Sequence, residues 1–157
     1  PFIRGLEAMV VVPRDRPLGG TLIAISERGL DAERNILAFL IGGPAPGRFA
    51  IRRTGNYDIS DACLLPSGDL LILERKFSLT GGIGIRIRRI GIDAIAPGAL
   101  VDGSSVFDAG LGQQIDNFEG LSAFVNDDGE IVLTLVSDAN FSLFQRTLLM
   151  QFTLAEH

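Results

Sequence analysis

Gly20-Thr21-Leu22-Ile23-Ala24-Ile25-Ser26-Glu27-Arg28 is repeated twice further along the chain. It returns as Gly68-Asp69-Leu70-Leu71-Ile72-Leu73-Glu74-Arg75. It returns again as Gly129-Glu130-Ile131-Val132-Leu133-Thr134-Leu135-Val136-Ser137-Asp138. Each version is a turn glycine followed by a strand of branched apolar residues that ends in an acid. A shorter strand precedes each one: Gly5-Leu6-Glu7-Ala8-Met9, Ser60-Asp61-Ala62-Cys63-Leu64-Leu65 and Asn117-Phe118-Glu119-Gly120-Leu121-Ser122-Ala123-Phe124. A third strand follows: Asn35–Ile41, Gly84–Ile90 and Arg146–Phe152. The turn glycines stand 48 and 61 positions apart (68 − 20 and 129 − 68). A period of roughly 40–60 residues with three or four strands per unit predicts an all-β, propeller-like chain of three blades.

The blades fall at about 5–54, 58–110 and 117–155 within a single domain, 1–157. Arg48–Thr54 alternates and supplies an outer strand to the first unit, and Ser104–Asp108 one to the second. The third unit has no residues left for one. Pro66-Ser67-Gly68-Asp69 and Asn126-Asp127-Asp128-Gly129 carry hairpin chemistry, with glycine where a positive φ is needed. Three blades cannot close a ring, since closed propellers use roughly four to eight. Either further blades lie outside this chain, or two copies pair as a homodimer to complete six. The chain opens at Pro1 without an initiator Met or a signal segment, which reads as a processed form or a portion of something longer.

Composition narrows the partners. A hydrophobic share of 46% against 21% charged residues suits a globular protein. No apolar run reaches the roughly 20 residues of a membrane helix. A net charge of −5 argues against nucleic acid, whose phosphates want a basic face. Cys63 is the lone cysteine, so no internal disulfide can form, and its apolar surroundings read as a small core residue. The sole histidine is the terminal His157, which excludes a Ser–His–Asp or Cys–His system within the chain.

What remains for chemistry is carboxylate and guanidinium. Glu7, Asp61 and Glu119 each start a unit's first strand, while Glu27, Glu74 and Asp138 each end its second. On a common axis these acids would meet at one mouth of a central channel. Carboxylates so placed need a cation or protons to offset their repulsion. Calcium, which takes six to eight oxygen ligands, suits such a set, and Asn35, Asn117 and Asn140 could add amide oxygens. The competing reading is plain ion pairing, with Arg28, Arg75 and Arg146 as partners. Arg86, Arg88 and Arg89, beside Ile85, Ile87 and Ile90, read as the wet face of a strand or as an anion fork.

The chain also resembles a known family. Gly5-Leu6-Glu7-Ala8, Asp61-Ala62, Leu65-Pro66-Ser67-Gly68-Asp69-Leu70-Leu71-Ile72-Leu73-Glu74-Arg75 and Asp116-Asn117-Phe118-Glu119-Gly120-Leu121 carry the likeness. So do Leu135-Val136-Ser137-Asp138-Ala139-Asn140-Phe141 and Gln145-Arg146-Thr147-Leu148-Leu149. These resemble the C-terminal part of proteins described as esterase-like activity of phytase. That resemblance implies a β-propeller, a periplasmic or secreted setting and phosphoesterase activity on a small phosphate ester. Glu119-Gly120 is similar, more distantly, to a metal-binding motif of calcium-dependent six-bladed propellers. The expectation is therefore metal-assisted hydrolysis: Glu7, Glu27, Asp61 and Glu119 on calcium, Glu74 and Asp138 as further ligands or base, and Arg75 and Arg146 receiving phosphate oxygens. The rival expectation is a non-catalytic propeller scaffold that binds a protein or small ligand.

Overall fold

The computed structural model describes residues 5–78, 82–111, 118–137 and 148–155. They form three sheets, stacked in chain order. The first joins β1 (Leu6–Val11), β2 (Leu22–Leu30), β3 (Ile36–Ile41) and β4 (Gly47–Ile51), all antiparallel. The second joins β5 (Asp58–Leu64), β6 (Leu70–Ser78), β7 (Gly82–Ile90) and β9 (Ser104–Leu111). The third joins β10 (Phe118–Val125), β11 (Ile131–Ser137) and β12 (Leu149–Leu154). Between β7 and β9 a 3₁₀ turn at Ile92–Ala94 leads to β8 (Leu100–Val101). This short strand crosses back and pairs parallel to β4 at the edge of the first sheet. That crossover has no counterpart in the other units among the described residues. No helix among the described residues is long and apolar enough to cross a membrane.

The alternation of side chains explains the stacking. Leu70, Leu71, Ile72 and Leu73 of β6 are all fully buried. A continuous apolar run of this kind belongs to a strand covered on both faces. Leu70 and Ile72 pack with Ile23, Ile25, Ile51 and Ile90 in one core, between the first and second sheets. Leu71 and Leu73 pack with Ile85, Ile87, Leu133 and Leu135 in another, between the second and third. Each such side chain contributes about 1.5–3 kcal/mol by leaving water.

The inner strands β1, β5 and β10 lie side by side, with β5 touching both others. The hairpin turns conform to their sequence. Gly68 and Gly129 have φ of 94° and 79°, in the region closed to most side chains. The Asn126 side-chain oxygen accepts from the N–H groups of Asp128 and Glu130, an Asx turn that accounts for the acids around it.

Candidate functional site

One irregularity recurs in all three sheets, and it builds the site. In the first, Leu6 faces Ser26 but Ala8 faces Ile25, so Glu7 is an extra residue in the ladder. In the second, Ile59 faces Glu74 and Asp61 faces Leu73, leaving Ser60 extra. In the third, Phe118 faces Ser137 and Gly120 faces Val136, leaving Glu119 extra. A bulge swings its extra residue out of the ladder and re-aims the side chain. The equivalent inner-strand positions are thus Glu7, Ser60 and Glu119.

This register corrects the sequence alignment by one residue in the second unit. Asp61 is not the counterpart of Glu7 and Glu119; Ser60 is. On the partner strand Glu74 aligns with Ser26 and Ser137, and Arg75 aligns with Glu27. A slip of one residue on a strand moves a side chain to the opposite face. The signal was present: Glu27 and Arg75 each stand seven residues after their turn glycine (27 − 20 and 75 − 68), whereas Glu74 stands six after.

The consequences differ sharply for the predicted residues. Glu74 shares the face of Leu70 and Ile72 and is fully buried. Its Oε2 accepts from Arg86 Nε at 2.7 Å and Arg88 Nε at 2.9 Å, and its Oε1 from Arg88 Nη2 at 2.5 Å. Arg88 Nη1 continues to Asp102 at 3.1 Å. Arg86 donates to the Thr54 carbonyl at 3.1 Å and stacks 4.0 Å over the Tyr57 ring. Arg86 and Arg88 are therefore an interior pair and not a wet face. The anion they receive is internal.

Asp61 is also occupied. One carboxylate oxygen accepts the Ala62 N–H and the other the Leu121 N–H, each at 2.8 Å, which clasps β5 to β10. Arg89 pairs with Asp69 at 2.9 Å. Burial, with help from the Asp61 charge, pushes the thiol of half-buried Cys63 up to about 12, so it is neutral.

Four of the predicted residues do meet. Arg75, on the face that looks toward the third sheet, reaches Glu119 Oε1 with Nη1 at 3.3 Å. Glu7 and Glu27 hydrogen-bond one another beside it, and the charges of Arg75 and Glu119 are felt at Glu7. The Glu7 carboxyl is held above the usual carboxylate range. The largest cause is partial desolvation, followed by the Glu27 charge and the shared hydrogen bond, with Arg75 opposing. Glu27 also lies 3.5 Å from Arg28. Ser60 sits between the flanking bulges with its hydroxyl buried and without a hydrogen-bond partner among the described residues.

Beside this rim opens a cleft of about 330 Å³, lined by Glu27, Arg28, Asp58, Arg75, Lys76, Phe77 and Ile83. Lys76, the chain's only lysine, stands 5.1 Å from the Tyr57 ring, and Asp58 is held by Arg53 at 3.0 Å. Nothing in the repeat pointed to Ser60, Asp58, Lys76 or Phe77. Asp138, Arg146, Asn117 and Asn140 lie outside the described residues.

The calcium ligands expected among the described donors are Glu7, Glu27, Asp61, Glu74, Glu119 and Asn35. No group of three or more acids, histidines or cysteines among them is close enough to hold a metal. Asp61 and Glu74 already accept from N–H donors of the protein. Asn35 stands in a turn where its N–H donates to Asp31.

An all-β stack of three sheets, sharing one ionic rim at the bulged ends of its inner strands, is the class of protein these elements define. A family model described as Phytase-like, esterase-like activity of phytase, matches residues 3–141, and the chain belongs to that family. No curated protein and no solved structure gave a match.

Proposed function

We propose that the three sheets are blades of a β-propeller and that the rim receives and hydrolyses a phosphate ester. The observation that carries this reading is the meeting of Arg75 and Glu119 with the neighbouring carboxyls of Glu7 and Glu27 at the bulged ends of the inner strands. A guanidinium fork suits phosphate oxygens, and Arg28 and Lys76 add positive charge along the same cleft. Glu7 keeps its proton to higher pH than an ordinary glutamate, which suits a general acid. In the step proposed, a water oxygen bonds to phosphorus and the ester P–O bond breaks. The leaving oxygen takes the Glu7 proton and the water proton passes to Glu27. No part of the step runs through a metal. The periplasmic or secreted setting implied by the family belongs to the same proposal.

Phosphate release from nitrophenyl phosphate and from phytate tests it. Turnover is expected in the parent, with a loss of at least tenfold, about 1.4 kcal/mol, in Arg75→Gln and in Glu7→Gln. A folded parent that neither turns over nor binds these esters, judged by phosphorus NMR, overturns the reading. One observation favours the scaffold alternative: the Arg75–Glu119 pair and the Asp61 clasp both tie the second sheet to the third. Saturable ester binding without turnover would select it.

A further inference from the structure

Leu71, Leu73, Arg75 and Phe77 alternate along one face of β6. Leu71 and Leu73 are buried against the third sheet, and Arg75 reaches Glu119. Phe77, next in the row, is 76% exposed. The overhang of β6 puts it there. β5 begins at Asp58, opposite Arg75, whereas β6 stays paired with β7 as far as Ser78, which faces Gly82. Past Asp58, among the described residues, β6 runs on with β7 alone, and the cleft beside Glu27 and Arg28 opens at this step. A single apolar side chain in water is ordinary. Phe77 differs because it has an apolar partner and a charged setting. It faces Ile83 across the ladder, and Ile83 packs on the second core. Both line the cleft together with Arg28, Arg75 and Lys76.

The cations there suit one phosphate and not several. Arg28 and Arg75 already stand beside Glu27 and Glu119, at 3.5 and 3.3 Å. Among the described residues Lys76 has no ion-pair partner. Its stem lies along Gly84, where a Cβ would come within 3.1 Å of it, and its ammonium rests 5.1 Å from the Tyr57 ring. Gly84 thus leaves room for Lys76 to be held without a carboxylate. In all, the cleft sets three cations against two carboxylates, Glu27 and Asp58. That balance matches a single phosphate. A polyol carrying several phosphates brings more negative charge than these groups offset. The volume of about 330 Å³ is near the lower bound of the roughly 300–1,000 Å³ usual for ligand clefts, which leaves room for a phosphate and one ring.

We propose that the ester taken here is a phosphate monoester of an aromatic alcohol, and that Phe77 is the residue that selects it. The phosphate lies against Arg75, Arg28 and Lys76. The ring lies on Phe77, in the offset or edge-on contact that aromatic pairs prefer, with Ile83 behind it. The proposal rests on the ester reading above and adds the class of leaving group.

Calorimetric binding of phenyl phosphate and of glycerol phosphate to the intact chain tests it, independently of how reactive the two esters are. The parent should bind phenyl phosphate more tightly, by about fivefold. Phe77→Ser is tolerated by the fold, because the side chain stands in water, and should keep its circular dichroism while losing that preference. Phe77→Tyr should retain the preference. Equal or tighter binding of glycerol phosphate by the parent, or a preference that survives in Phe77→Ser, overturns this inference and leaves the ester reading standing. A parent that binds neither ester overturns both.

Discussion

Glu74 and Arg75 are neighbours on one strand, yet they belong to two different kinds of electrostatics. Glu74 points between the first and second sheets, where no water reaches it and two guanidinium groups close on its carboxylate. Arg75 points between the second and third, where its side chain keeps 34% exposure and the acids around it are exposed or half-buried. The first arrangement is a structural lock, since charges without water must be fully paired. The second is an open rim whose members keep contact with solvent. Sequence proximity and shared charge chemistry say nothing about which is which. The pleat decides it.

The comparison can be broken by substitution on either side. Glu74→Gln should have the largest effect, because it leaves the buried Arg88 and Arg86 short of their counter-charge; a loss of about 3–5 kcal/mol is expected in thermal or denaturant unfolding. A loss under about 1 kcal/mol would mean that the interior pair is not the lock described. Asp61→Ala should come next, at about 1–3 kcal/mol, by stranding the Leu121 and Ala62 N–H groups at the join of β5 and β10. Hydrogen exchange at Leu121 should rise in the same variant; unchanged protection there would sever the proposed clasp. Glu119→Gln should cost less than about 1 kcal/mol, because its pair with Arg75 is solvent-exposed and screened. A deficit as large as that of Glu74→Gln would erase the distinction between lock and rim.

The smallest effect concerns pH. The folded-state value of Glu7 lies above its ordinary 4.5, so its protonated hydrogen bond stabilises the fold fully below that value. The contribution is lost as pH rises through the raised value, where Glu7 ionises beside Glu27. The parent should therefore lose melting temperature relative to Glu7→Gln between acid and neutral pH, by a small margin because the site is largely exposed. A gap that stays flat across that range would remove the shared proton from the rim.

The repeat itself was legible. Three turn glycines, three apolar strands and their flanking strands gave the all-β class, the hairpins and the outer strands β4 and β9. Of the site, Glu7, Glu27, Arg75 and Glu119 were named from the sequence and do meet. The assignment failed at Asp61 and Glu74, each an acid standing one residue from the position it was matched to. Matching acids to acids chose chemical likeness over distance from the turn, and only distance keeps count of the faces. Arg86 and Arg88 read as a wet face because they alternate with apolar residues along β7, but Glu74 stands opposite them in the interior.

Local sequence settled where strands begin, where they turn and which runs are apolar, because glycine geometry and side-chain branching act within a few residues. Three things depended on the assembled molecule: the bulges that slip each inner strand by one, the burial of β6 on both faces, and the crossover of β8 to the first sheet. Each arises from contacts between segments far apart in the chain. No local preference encodes which of two adjacent charges will be sealed from water and which will stay in reach of it.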